Sequence, residues 1–168
     1  MDDIRIGFGY DSHRFEAGRR LVLGGVEIPG ETGLGGHSDA DVLIHAVIDA
    51  LLGAAALGDI GSHFPDTNAR WQDVDSTKLL AVVVDEIRGV KWTVGNIDVT
   101  VICERPKLRP YVEVIRARLA KLLWPQAEGG AMVSRVSVKG KTNERMDDVG
   151  AGLGIEVHAV CLLVEESQ

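Results

Sequence analysis

The sequence predicts an α+β fold: a single domain over residues 1–168, mainly one four-stranded mixed sheet with helices on one face plus a small N-terminal hairpin. Three observations predict it. Large apolar residues alternate with small or polar ones in residues 4–15, 96–103 and 154–163, which is the period of a strand. Apolar residues recur every three or four positions in residues 38–57, 76–87 and 110–122, which is the period of a helix. The resulting order, β-β-α-α-β-α-β-β, does not alternate strictly, and 168 residues that are 45% hydrophobic and 26% charged suit one core.

In the first strand Ile4, Ile6, Phe8 and Tyr10 take one face, and Gly7, Gly9, Asp11 and His13 the other, where the glycines leave room for a ligand or another backbone. Residues 20–29 read as a hairpin turning at Gly24-Gly25, and residues 30–36 as a glycine-rich loop. The first helix is expected to open at Ser38, with Asp41 completing a capping-box-like pattern, and to end near Gly58. Asp41, His45 and Asp49 form a polar stripe on it, while Val42, Ile44, Val47, Ile48, Leu51 and Leu52 supply apolar surface. Residues 59–67 follow as a structured loop and candidate site wall. Ser76 is expected to cap a second helix carrying Leu79, Leu80, Val83, Val84 and Ile87. After the strand at 96–103, Pro106 to Pro110 make a stiff turn. Pro110 suits the first position of a third helix bearing Val112, Ile115, Leu119 and Leu122, and strands at 136–139 and 154–163 close the chain.

A net charge of −7 without any basic run or aromatic-interleaved basic patch argues against a nucleic-acid surface. No apolar run reaches the roughly 18 residues of a membrane span, and the acidic start enters a strand at once, so a soluble, cytoplasmic protein is expected. Cys103 and Cys161 fall in apolar strand runs and read as reduced core residues. Gly7-Phe8-Gly9 lacks the third glycine and the helix of a dinucleotide fingerprint. His63 reads as loop surface, and His158 as a strand histidine with a polar neighbour.

Three of the five histidines and several carboxylates crowd into Asp11-Ser12-His13 and His37 to His45. A D-x-H triplet alone is more often a solvated strand end than a ligand pair. A second histidine-rich stretch on a largely apolar helix changes the balance, because buried polar groups need partners and a metal ion supplies one. Asp11, His13 and His45 make an oxygen-and-two-nitrogen set for Zn²⁺ or another divalent transition metal, with one coordination position left open. Asp49 or Asp41 is available to orient His45.

The chain resembles the 2-C-methyl-D-erythritol 2,4-cyclodiphosphate synthase family over nearly its whole length. The resemblance rests on G-x-G-x-D-x-H-x-F at Gly7 to Phe15, H-S-D-x-D-x-x-x-H-A at His37 to Ala46, the run from Asp49 to Thr67, and K-x-x-T-x-E at Lys139 to Glu144. It implies a homotrimer with active sites at subunit interfaces and a cytidine diphosphate substrate, 4-diphosphocytidyl-2-C-methyl-D-erythritol 2-phosphate, cyclised with loss of CMP. It implies zinc on Asp11, His13 and His45, residues that also face the substrate, and Mg²⁺ or Mn²⁺ on Glu144 with the nucleotide diphosphate. His37, Ser38, Lys139 and Thr142 would act in catalysis. Asp59, Ile60, Gly61, Phe64 and Asp66 would meet ribose and erythritol, and Cys103, Pro106, Lys107, Leu108 and Arg109 the cytosine and phosphates. Two other readings remain open on the residues: a zinc-dependent hydrolase and a non-catalytic trimeric metal-binding protein.

The chain departs from the family pattern at Lys141, where many members have threonine, and at Asp148, where an aromatic is common. Ala151 and Leu153 stand at sites charged in some members. In a trimer's central cavity such a surface is expected to bind isoprenoid diphosphates weakly, since Ala151 brings no cation and Asp148 adds an anion.

Overall fold

Strand β1 (Ile4–Leu23) shapes the architecture by serving two neighbours along its length. Its first part, residues 4–14, pairs antiparallel with β5 (Gly154–Glu165), and residues 15–23 pair antiparallel with β2 (Val26–Leu34) across a turn at Gly24-Gly25. β3 (Trp92–Ile102) lies antiparallel to β5, and β4 (Val136–Lys141) parallel to β3, giving the order β2-β1-β5-β3-β4. The mixed α+β architecture is as expected, but the sheet has five strands rather than four, because β1 runs on past Arg14 into its pairing with β2. The computed structural model describes residues 3–128 and 130–166.

The helices are α1 (Val42–Ala55), α2 (Ile60–His63), α3 (Ser76–Gly89) and α4 (Val112–Leu123). None of the described helices is long and apolar enough to cross a membrane. α1 and α4 start later than the sequence suggests, and α3 one residue earlier. Ala40 takes a left-handed φ of 57°, which no helix path allows, so α1 opens after Asp41, whose carboxylate accepts from the Ile44 N–H. Asp75 rather than Ser76 caps α3, accepting from the Thr77 N–H, which leaves the Ser76 hydroxyl free for other partners. Pro110 sits in a short 3₁₀ turn, Arg109–Tyr111, ahead of α4. The glycine-rich stretch from residue 30 is extended as far as Leu34 rather than a loop.

α1 is the central helix. Eleven of its fourteen residues are buried, and it packs across β1 and β5 with α3 alongside. The contact with β1 is close enough that only glycine fits. A Cβ built on Gly7 would lie 1.9 Å from the Ala50 carbonyl oxygen, and one on Gly9 the same distance from that of Ala46. The room left by the two glycines is therefore filled by backbone of α1. The large residues point the other way: Ile6 is 72% and Phe8 61% exposed, with Ile4 and Tyr10 in the same row. A Gly9→Ala variant is expected to lose about 2 kcal/mol or more, because β1 must move off α1 to seat one methyl group. A thermal midpoint within a degree of wild type would contradict this close approach.

Candidate active site

Asp11 and His13 come from one face of β1, and His45 from the second turn of α1 that packs on it. Their donor atoms converge: Asp11 Oδ2 lies 3.0 Å from His45 Nδ1 and 3.2 Å from His13 Nε2, and the two ring nitrogens are 3.2 Å apart. Oxygen and nitrogen ligands at zinc distances and tetrahedral angles stand about 3.3 Å apart, so this triangle has the size of one face of a zinc tetrahedron. Two imidazole nitrogens and a carboxylate oxygen at this spacing need a shared cation or protons between them. Burial opposes charge on Asp11, but the two histidines beside it outweigh that and hold its carboxyl at about 2. Burial likewise works against the His45 imidazolium, and the Asp11 carboxylate overcomes it and raises the pKa. The donor set, its spacing and its half-buried setting fit a divalent metal ion.

Neither carboxylate expected to orient His45 does so. Asp49 accepts from the Ile60 N–H at 2.8 Å, fixing the chain after α1. Asp41, fully buried, accepts from the N–H groups of Gly24, Gly25 and Ile44, tying the β1–β2 turn to the start of α1. The far nitrogen of His45 instead meets two serines: Nε2 lies 3.0 Å from Ser38 Oγ and 3.0 Å from Ser76 Oγ.

The triangle opens into a cavity of about 450 Å³, where the structure also brings together His37, Ser38, Ile60, Gly61, Phe64 and Asp66. The buried His37 Nε2 has no hydrogen-bond partner there. Phe64 and Trp71 meet edge to face, with ring centroids 5.1 Å apart, and with Ile60 and Leu79 they make an apolar wall opposite the polar groups. Trp71 and Leu79 were not singled out from the sequence. Leu79 sits in an ordinary amphipathic helix pattern, and Trp71 lies beyond the motif that flags the loop. Asp59 caps α2, its Oδ1 accepting from the Ser62 N–H and Oγ, and these bonds lower its pKa. His63 is not free loop surface: its ring bonds the Asp59 carbonyl and pairs with Glu86 at 3.0 Å. His158 pairs with Glu156.

A second cleft, about 510 Å³, lies elsewhere on the chain and gathers Cys103, Pro106, Lys107, Leu108, Arg109, Thr142 and Glu144. Lys141, one of the departures noted above, also lines it. The Cys103 N–H bonds the Lys141 carbonyl, holding the Pro106 turn against the end of β4. Left-handed φ values at Glu144 and Arg145 turn the chain just after Thr142, whose hydroxyl donates to the Glu144 carboxylate. Burial pushes the Cys103 thiol up to about 11, so it serves as wall and not as nucleophile. Lys139 is not part of this cleft; it pairs with Asp98 at 2.6 Å. No described residue lines both cavities.

Residues 4–164 match the model of the YgbB family. The chain is 54% identical over 164 residues, 98% of its own length and 99% of the relative's, to a protein of Neisseria gonorrhoeae named 2-C-methyl-D-erythritol 2,4-cyclodiphosphate synthase. A solved structure of a synthase of that name in a CDP-bound form superposes with a TM-score of 0.83 at 36% identity, covering 95% of this chain and 99% of the other. A bifunctional protein of Campylobacter jejuni superposes with a TM-score of 0.90 at 35% identity, covering 98% of this chain, which spans 43% of that longer one.

Proposed function

Because this chain belongs to the YgbB family, we propose that it is a 2-C-methyl-D-erythritol 2,4-cyclodiphosphate synthase, a phosphorus–oxygen lyase of non-mevalonate isoprenoid biosynthesis. It converts 4-diphosphocytidyl-2-C-methyl-D-erythritol 2-phosphate into the cyclic diphosphate and CMP, as a cytoplasmic homotrimer in which residues 1–168 act as one domain. The observation that carries this reading is the donor triangle of Asp11, His13 and His45 at the mouth of the 450 Å³ cavity.

An oxygen of the substrate's 2-phosphate attacks the β-phosphorus. A new P–O bond forms, the bond between that phosphorus and the α–β bridging oxygen breaks, and CMP leaves with the electron pair. The nucleophile is already anionic, so the protein needs no general base. It must hold two anionic groups in line and offset their repulsion. Asp11, His13 and His45 would hold zinc, or another divalent transition metal, which would supply Lewis acidity toward a phosphoryl oxygen. His37 and Ser38, which line the cavity, are assigned to the reacting phosphates. Asp66 accepts from the erythritol hydroxyls, while Ile60, Gly61 and Phe64 pack on the carbon skeleton and keep water out.

The cytidine end is assigned to the second cleft. Cys103, Pro106, Lys107, Leu108 and Arg109 embrace the base and Thr142 acts on the phosphates, while Asp59, at the start of α2 and outside this cleft, accepts from the ribose hydroxyls; Lys139 also lies outside the cleft and acts on a phosphate only by giving up its pair with Asp98. Glu144 supplies one carboxylate to Mg²⁺ or Mn²⁺, an ion that commonly takes one or two carboxylates and completes its shell with water and substrate phosphates. The separate linings of the two cavities support a site shared between subunits, one lending its metal centre and the next its nucleotide cleft.

Phosphorus NMR of purified protein with this substrate and Mg²⁺ tests the reading. Cyclic diphosphate and CMP are expected in equal amounts, and a chelator should stop their appearance until zinc is returned. Release of orthophosphate without ring closure would point to a hydrolase and overturn the assignment.

A further inference from the structure

The far side of His45 holds a chain of hydrogen bonds whose direction is fixed by a carboxylate. Asp39 receives three donors. Its Oδ1 accepts from the Ser76 hydroxyl at 2.5 Å and the Asp41 N–H at 3.2 Å, and its Oδ2 accepts from the Ser76 N–H at 3.1 Å. An ionised carboxylate can only accept, so the Ser76 hydroxyl proton points at Asp39. Ser76 Oγ therefore has only lone pairs to offer His45 Nε2, 3.0 Å away, which favours a proton on Nε2. Ser38 Oγ, also 3.0 Å from Nε2, accepts from the Ala40 N–H and lies 3.4 Å from Ser76 Oγ, whose remaining lone pair can take the Ser38 proton and leave a Ser38 lone pair for Nε2. Ser76 is fully buried, so water does not compete for these positions.

We propose that Asp39 and Ser76 are positioning residues for the metal ligand His45: the chain Asp39–Ser76–His45 fixes the Nε2–H tautomer and leaves the Nδ1 lone pair facing Asp11 and His13. The inference rests on the metal centre of the preceding section. A proton on Nδ1 would occupy the position a metal takes, so the tautomer decides whether the triangle can bind one. Outer hydrogen bonds of this kind usually change metal affinity by 10–100-fold. Ser76 begins α3 and Asp39 precedes α1, so the same contact also fixes the distance between the two helices that flank the cavity.

The test is zinc affinity by chelator competition on wild type, Ser76→Ala, Asp39→Asn and His45→Ala, with the thermal midpoint of each metal-free protein. Ser76→Ala keeps the backbone bond from residue 76 to Asp39, so it is expected to lower its metal-free midpoint only modestly while zinc binding weakens about tenfold or more. Asp39→Asn can turn the chain round: an amide NH₂ donating to Ser76 Oγ frees that hydroxyl to donate to Nε2, which favours the Nδ1–H form. It should weaken zinc as well. The slowly exchanging Nε2–H resonance of His45 in the zinc-loaded protein should appear for wild type and broaden or vanish in Ser76→Ala.

Equal zinc affinity in wild type and Ser76→Ala, with zinc lost in His45→Ala, would overturn the positioning role and leave the metal centre standing. A wild type that binds no zinc would overturn both. If Asp39→Asn does not fold, Ser76→Ala carries the test alone.

Discussion

His45→Ala is expected to lower CMP release by about a thousandfold or more, roughly 4 kcal/mol of transition-state stabilisation, and to leave the protein without bound zinc. The size follows from position. His45 supplies the one donor from α1, and its Nδ1 lies within 3.2 Å of both donors from β1. Without it Asp11 and His13 remain as two neighbours on one strand, which is too few for a tetrahedral site. The fold should survive, because α1 is capped by Asp41 and packed through Ile44, Val47, Ile48 and Leu51, none of which touches the imidazole's hydrogen bonds. Metal content by atomic absorption, CMP release and far-UV circular dichroism on the same preparation check the three parts. A variant that keeps both a full zinc complement and wild-type turnover would remove His45 from the centre.

Asp41→Ala should be the most damaging single substitution for stability away from the glycines, at about 3–6 kcal/mol, a large share of what a domain of this size has. The carboxylate accepts from Gly24, Gly25 and Ile44, and alanine leaves three N–H groups without their acceptor, those of Gly24 and Ile44 buried and that of Gly25 partly buried. The pH dependence has a definite sign. Burial is the largest influence on this carboxyl and pushes it up to about 6 from 3.8, against the pull of the three N–H groups. Between those values the folded protein binds a proton that the unfolded chain has lost, so the contribution of Asp41 falls as pH rises from about 4 to about 6 and is level above that. Urea titrations of wild type at pH 4.5 and pH 7 should show this component, and the same pair on the variant should lack it. An Asp41→Ala midpoint close to wild type would mean that the turn and helix find other partners.

The donor triangle was legible because its chemistry is written in short spacings: Asp11 and His13 two apart on a strand, and His45 within a largely apolar helix. What surrounds it was less so. Ser38 and Asp41 form a plausible capping box in the sequence, yet Ala40 takes a left-handed φ and moves the cap to Asp41. Ser76 looked like a helix cap because serine usually is one, but Asp75 takes that place and Ser76 reaches His45, 31 positions away in the chain. No local pattern encodes such a pairing. The alternation in β1 gave the strand, and its glycines gave the side open to another backbone: α1 approaches there, and the large residues on the other side are the open ones. The hairpin at Gly24-Gly25 was legible, but not that its strand joins the main sheet as the fifth, since nothing in residues 14–15 signals that β1 changes neighbours there.

That glycine side sets how this enzyme can change over evolution or in a designer's hands. Gly7 and Gly9 meet the backbone of Ala46 and Ala50, and two and four residues beyond Gly9 the same strand delivers Asp11 and His13 to the helix that carries His45. The seam acts as a spacer gauge for the donor triangle: a bulkier side chain in it would widen the triangle before it altered any residue that meets substrate. New specificity is therefore far easier to reach through the aromatic wall of Phe64 and Trp71, which can be recut without moving the gauge, than through any position on the strand that bears the ligands.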